Sequence, residues 1–211
     1  MTVTAGRSDS QARAARGREL VGRRFERSVE VSNRFFEASA SDVSRACLEM
    51  ARRFQTGGRL LVLGEGAEAT DAHHMAVEFV HPVIVGKRAL PAIALTSDVA
   101  ALSGLARSGG VAQGFERIIE LLGRDGDIAV GVTRDGNGAA VIRGLGRARA
   151  RGLLTVGLAG GGGGELQANG AVDFLFVVPD DDPLVVQEVH ETLYHVLWEL
   201  VHVFFEQRVV A

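Results

Sequence analysis

Cysteine and long hydrophobic runs are scarce in this chain. Of 211 residues, one is cysteine, Cys47. No disulfide can form within the chain, so a reducing, cytoplasmic compartment is expected. No stretch approaches the roughly 18 uncharged apolar residues of a membrane span, and the N-terminus lacks the apolar centre of a signal peptide. No membrane partner is expected. A surplus of charge is missing too. The net charge is −3, which gives no global attraction to nucleic acid. Arginines do gather at the start, in Arg7, Arg13, Arg16, Arg18, Arg23 and Arg24. By composition they read as a solvated tail rather than a nucleic-acid arm. Hydrophobic residues make up 46%, enough to fill the core of a domain of this size.

Residues 1–15 read as a disordered tail. From 16 to 56 the pattern is helical: Phe25, Val29, Phe36, Val43, Cys47, Met50 and Phe54 recur at spacings of three, four or seven. A break at 39–42 is expected to divide this segment into two helices, with Ser41 as a candidate cap. The rhythm then changes. Short apolar strands are expected at 59–63, 92–95, 127–132, 153–158 and 172–178, with helices near 70–79, 99–105, 115–122 and 138–151. A long last helix runs from Pro183 to about 205, with proline suited to its first turn. Such alternation implies an α/β fold, a three-layer αβα sandwich around a five-stranded parallel sheet. Ligands of such sheets bind beyond the carboxyl ends of the strands, so function is sought in the loops that follow them.

Two helical patches carry the candidate chemistry. His74 and Glu78 lie four residues apart and share one helix face, one turn apart. Gln187, Glu191 and His195 form a second stripe at the same spacing. Two imidazoles, a carboxylate and an amide oxygen make a metal or acid–base set. The other histidines, His73, His81, His190 and His202, read as surface or packed residues.

The loops are more ambiguous. Gly64-Glu65-Gly66-Ala67-Glu68-Ala69 matches G-x-G-x-x-A after a strand. However, the acidic residue of a dinucleotide site is missing at the expected distance, and Glu65 and Glu68 would repel a pyrophosphate. Thr133-Arg134-Asp135-Gly136-Asn137-Gly138 opens a helix and offers backbone N–H groups to an anion, or else simply caps the helix. Five glycines at 160–164 read as a floppy connection. Asp180, Asp181 and Asp182 precede the last helix and favour its N-terminus through the dipole.

Four stretches in order resemble the sugar isomerase (SIS) domain, most closely its phosphoheptose isomerase branch. They are LLVLGEGAEATDAHHMAVEF, PAIALTSDVAALSG, GFERIIELLGRDGDIAVGVTRDGNGAAVIRGLGRARARGLLTVGLAG and VVQEVHETLYHVLWELV. The resemblance spans 20–205 and implies an SIS domain over 57–211, with 16–56 as an oligomerisation arm. It also implies a homotetramer with active sites at subunit interfaces. By this resemblance His74, Glu78, Gln187 and His195 are zinc ligands, with Glu78 the catalytic base and His195 the catalytic acid of an aldose–ketose isomerisation. The substrate-binding positions map to Gly66, Ala67, Glu68, Ser97, Asp98, Thr133, Arg134, Asp135, Asn137 and Gly138, and the ligand expected there is a sugar phosphate.

Two loops depart from the pattern. The family turn reads G-N-G-G-S, where Glu68 now replaces the serine, and the family loop S-T-S-G-N-S keeps one clear hydroxyl, Thr133. Each hydrogen bond lost to a charged group costs about 1.5–3 kcal/mol. The metal end is intact and the phosphate end rewritten, which leaves a second expectation open: a non-catalytic regulatory SIS protein, similar to the replication-initiator-associating member of the branch. One tension stands out. A carboxylate cannot be a tight zinc ligand and a free base at once, and Gln187 and His195 are about 12 Å apart along a straight helix.

Overall fold

The computed structural model describes residues 3–170 and 172–207. Five strands form one parallel sheet: β1 (Leu60–Gly64), β2 (Ala92–Ala94), β3 (Ile128–Val132), β4 (Leu154–Gly160) and β5 (Phe174–Val178), in the order β2-β1-β3-β4-β5. The pairing starts level at the foot of the sheet, Leu60 opposite Ala92 and Ile128, and Ile128 opposite Leu154. β1, β3 and β4 are buried along their whole length. Sheets covered on both faces need strands that are apolar at every position, which is why these read as unbroken apolar runs. The αβα sandwich expected from sequence is therefore the fold observed.

The period of two along each strand splits the core into two. Leu60, Val62, Ile128, Val130, Val132, Val156 and Leu158 face one side, against Met50, Phe54, Met75, Phe79, Leu193 and Trp198. These come from α1 (Val3–Gln55), α2 (Glu68–Val80) and α7 (Pro183–Glu206). Leu61, Leu63 and Ala129 face the other side, against Phe115, Ile119, Val141 and Leu145. Those belong to α4 (Gly114–Leu122) and α5 (Ala139–Ala150). α3 (Val99–Gly109) adds Leu102 at the margin, and the short α6 (Gly164–Ala168) adds Leu166.

α1 is one continuous helix of 53 residues. The break expected at 39–42 is absent. The Ser39 hydroxyl donates to the Phe35 carbonyl at 2.7 Å, one turn back, so the serine side chain does not compete for an exit from the helix. The helix also runs through 3–15, where composition suggested a loose tail. Arg13, Arg16, Arg18 and Arg23 are exposed, whereas arginines further along α1 meet the rest of the fold. Arg24 pairs with Glu188 at 2.8 Å. Arg27 grips Asp180 at 2.7 Å, and Arg34 donates to the Pro179 carbonyl. These contacts pin the long helix beside the loop that follows β5.

The glycine run is a second correction, because it is tied down rather than floppy. Gly160 N donates to Arg134 O at 2.9 Å, Gly161 N to Asp180 O at 2.9 Å and Leu166 N to Gly136 O at 3.0 Å. A Cβ on Gly136, which has φ +79°, would sit 2.0 Å from Gly163 O. Two loops cross here at a distance only glycine allows.

At the foot of the sheet, Asp127 is buried and takes hydrogen bonds from Arg59 N at 2.9 Å, Arg59 Nη2 at 2.7 Å and Arg124 N at 3.1 Å. Removing it leaves these donors unmatched. Asp127→Ala should lower the unfolding free energy in urea by about 2–4 kcal/mol.

His190 is buried on α7, with its Nε2 3.3 Å from the Ala159 carbonyl. Burial pushes its imidazole down to about 4, against the opposing hydrogen bond. A base depressed in the fold stabilises fully above its unfolded value, about 6.5, and that contribution is lost as pH falls toward 4. Acid titration of stability should therefore fall steeply between pH 6.5 and 4, and His190→Asn should flatten that fall.

Candidate active site

The strand order reverses between β1, which neighbours β2, and β3. An α/β sheet opens a crevice at such a switch point, beyond the carboxyl ends of the strands. A cleft of about 610 Å³ lies there. The turn after β1 supplies Gly66, Ala67 and Glu68, and the turn after β3 supplies Thr133, Arg134, Asp135, Asn137 and Gly138. Gln187 closes the cleft from α7. Eight of the ten residues expected to bind substrate thus share one cavity. Ser97 and Asp98 do not line it. They follow β2 on the far side of β1, and the Asp98 carboxylate caps α3 by accepting from Ala101 N at 2.8 Å.

The turn after β1 is forced by packing. A Cβ on Gly64 would meet Glu68 O at 2.2 Å, so α2 can start this close to the strand only over glycine. In the turn after β3, the Thr133 hydroxyl accepts from Gly136 N at 2.7 Å and the Asp135 carboxylate accepts from Asn137 N at 3.0 Å. Asn137 Oδ1 accepts from Glu165 N at 3.1 Å, which fastens this turn to α6. The N-terminus of α5 has no side-chain cap, and Gly138, Ala139 and Val141 around it line the cleft, with the Glu65 carboxylate close to Gly138. Arg134 is the one basic side chain lining the cleft, among the described residues, against Glu65, Glu68 and Asp135.

Next to the cleft, α2 and α7 pack together and bring the two patches into contact. His74 is the hub. Its Nε2 is 3.3 Å from Glu78 Oε1. Its Nδ1 is 2.7 Å from the Tyr194 hydroxyl and 3.6 Å from Glu191 Oε1. Its ring meets His195 edge-on at a centroid distance of 5.1 Å. The Nδ1 contact with the Tyr194 hydroxyl is a hydrogen bond, while the Glu78 and Glu191 carboxylates stand near the two ring nitrogens. Burial, and then the Glu191 carboxylate, push the Tyr194 hydroxyl up, which keeps it a neutral donor.

Gln187 stands apart from this hub. Its Nε2 donates to both oxygens of Asp71 at 3.2 Å. Burial raises the Asp71 carboxyl, while the Gln187 amide pulls it the other way. Ligand atoms of His74, Glu191 and His195 all lie within 4.8 Å of one another. Asp71, Glu191 and Tyr194 thus join the site without having been assigned to it from sequence. Two signals were present: Asp71 is three residues before His74, and Glu191 lies one turn from both Gln187 and His195. No sequence signal marked Tyr194.

Comparison with known proteins points in one direction. A family model described as SIS domain matches residues 24–160. The phosphoheptose isomerase of Nitratidesulfovibrio vulgaris is 35% identical over 194 residues, 92% of this chain and 92% of that protein. The phosphoheptose isomerase of Chlorobium phaeobacteroides is 41% identical over 181 residues, covering 82% of this chain and 79% of that one. The solved structure of the phosphoheptose isomerase from Neisseria gonorrhoeae superposes with a TM-score of 0.80 at 29% identity, covering 87% of this chain and 97% of that one. With its fold, its switch-point cleft and these relatives taken together, the chain belongs to the SIS-domain family, in the group of the phosphoheptose isomerases.

Proposed function

We propose that this protein is a metal-dependent aldose–ketose isomerase acting on a sugar phosphate, with sedoheptulose 7-phosphate the first substrate to try. The observation that carries this reading is the meeting of Glu78 and His195 around His74, from helices more than 100 residues apart. In such a reaction a base takes a proton from the carbon beside the carbonyl and returns it to the former carbonyl carbon. An acid meanwhile protonates the carbonyl oxygen and recovers a proton from the neighbouring hydroxyl. Glu78 is the base and His195 the acid. Gln187, held by Asp71, orients the sugar along the cleft wall. The phosphate end is read onto Gly66, Ala67, Glu68, Thr133, Arg134, Asp135, Asn137 and Gly138. Its attraction comes from the open N-terminus of α5 and from Arg134, in place of a row of hydroxyls. Ser97 and Asp98 keep no role in this cleft.

Two imidazoles beside a carboxylate suit zinc, and the residues present fit it. His74 and His195 would hold the ion with a carboxylate of the same cluster. When bound, it supplies a Lewis acid that polarises the sugar carbonyl. The regulatory, non-catalytic reading is not favoured, because both proton-transfer candidates are retained and each meets His74.

We further read 57–211 as the catalytic unit and 16–56 as an assembly arm of a homotetramer. Support comes from α1, whose length is about 80 Å and whose Val21, Phe25 and Val29, four residues apart, are exposed. Such a stripe is apolar surface awaiting a partner helix. Among the described residues, no helix is long and apolar enough to cross a membrane. A cytoplasmic compartment fits the thiol of Cys47, which is buried and pushed up to about 12 by that burial.

Purified protein incubated with zinc and sedoheptulose 7-phosphate should yield the aldose. Glu78→Gln should lower kcat by about 100- to 10,000-fold without moving the thermal unfolding midpoint. No turnover of this or related ketose phosphates would overturn the proposal. Sedimentation equilibrium should report four chains, and Phe25→Glu should reduce that number. A wild-type monomer would remove the tetramer.

A further inference from the structure

The phosphate end of the cleft carries a conflict of charge. Arg134 is the cation there, and Glu65, Glu68 and Asp135 are the acids. From α7 the cleft is closed by Pro183, Leu184 and Gln187, none of them charged. The three acids are not equivalent. Asp135 is engaged within its own turn, accepting from Asn137 N at 3.0 Å. Glu68 stays over the turn after β1, where a Cβ on Gly66 would lie 3.8 Å from its Oε2. Glu65 reaches across the cleft instead. Its Oε2 would be 3.0 Å from a Cβ on Gly138, the residue that precedes α5. It is half-buried, and among the described residues no cation pairs with it. The start of a helix favours a negative charge, and Glu65 sets the chain's own anion beside that position.

We propose that Glu65 is the specificity-determining residue of the phosphate end: it admits a phosphate monoester in its singly charged form, whose remaining P–OH donates to the Glu65 carboxylate. This rests on the sugar-phosphate reading above. A monoester carries nearly two negative charges at neutral pH, with a second pKa of about 6. Two anions that share one site hold a proton between them, because each disfavours the ionised form of the other. The dianion therefore takes up one proton from solvent as it binds. Arg134 balances the charge that remains. Glu68 and Asp135, ionised in their own turns, add to the preference for the protonated ester. Affinity should then fall as pH rises above the second pKa, by about tenfold per pH unit.

The test uses the full chain and glycerol 3-phosphate, a monoester with no carbonyl to isomerise. Binding is followed by ³¹P NMR at constant ionic strength, because the ³¹P shift reports the ionisation of the ester. At a pH of about 8, where the free ester is a dianion, the ester bound to wild type should show the monoanion shift. Glu65→Gln should bind the dianion, about tenfold or more tightly than wild type does, and lose the fall of affinity with pH. Glu68→Gln removes the same charge three residues away; it should change affinity by less than this and leave the bound ester protonated. An unchanged circular dichroism melt checks the fold of each variant, and the wild-type shift tests the inference without any variant. A dianion bound to wild type, a monoanion bound to Glu65→Gln, or equal effects of Glu65→Gln and Glu68→Gln overturns the inference and leaves the isomerase reading standing. No binding by any of the three proteins overturns the phosphate end of that reading, and this inference with it. The expected ³¹P shifts without turnover of any ketose phosphate overturn the isomerase reading alone.

Discussion

The packing of α2 against α7 is the contact on which the site depends. Neither helix carries a site by itself. α2 brings Asp71, His74 and Glu78, and α7 brings Gln187, Glu191, Tyr194 and His195. Pressed together, they make His74 a shared node that touches Glu78 on one nitrogen and Tyr194 and Glu191 on the other. The apolar residues on the same helices hold this arrangement. Met75 and Phe79 of α2 and Leu193 and Trp198 of α7 are buried in one cluster over the sheet. Each such side chain contributes on the order of 1.5–3 kcal/mol when fully buried. The half-buried and exposed polar groups of the node therefore stand beside a well-packed core that fixes their helices.

The cleft is built by a different device. At the ends of β1 and β3 the chain turns sharply into helices, and glycine allows close approach at Gly64 and at Gly136. What lines the cleft is then mostly backbone and short side chains. Its electrostatics are mixed, with Glu65, Glu68 and Asp135 set against Arg134 and an uncapped helix N-terminus.

Much of the fold was legible in the residues. Unbroken apolar runs such as Leu60–Gly64 and Ile128–Val132 announce strands buried on both faces, and Pro183 after an acidic cap marks the start of α7. The break expected in α1 was misread because Ser39 and Asp42 often end helices. Here Ser39 bonds back to Phe35, and Asp42 pairs with Arg45 along the helix at 2.6 Å. The glycine run was misread because glycine permits both slack and tight crossing. Which of the two occurs depends on Gly136, more than 20 residues away, and no local pattern records that.

By itself the sequence determined the alternation of strand and helix, the placing of imidazoles and carboxylates one turn apart, and the loops at which a ligand edge would form. These follow from periods of two and of 3.6, which are local properties of the backbone. Only the tertiary structure decided which of these groups meet. It brought Tyr194 and Glu191 to His74, drew Gln187 toward Asp71, and left Ser97 and Asp98 outside the cleft. The physical reason is that helix spacing sets which face a side chain occupies. Its partner across that face is set by how the helices pack on the sheet, which depends on the whole core at once.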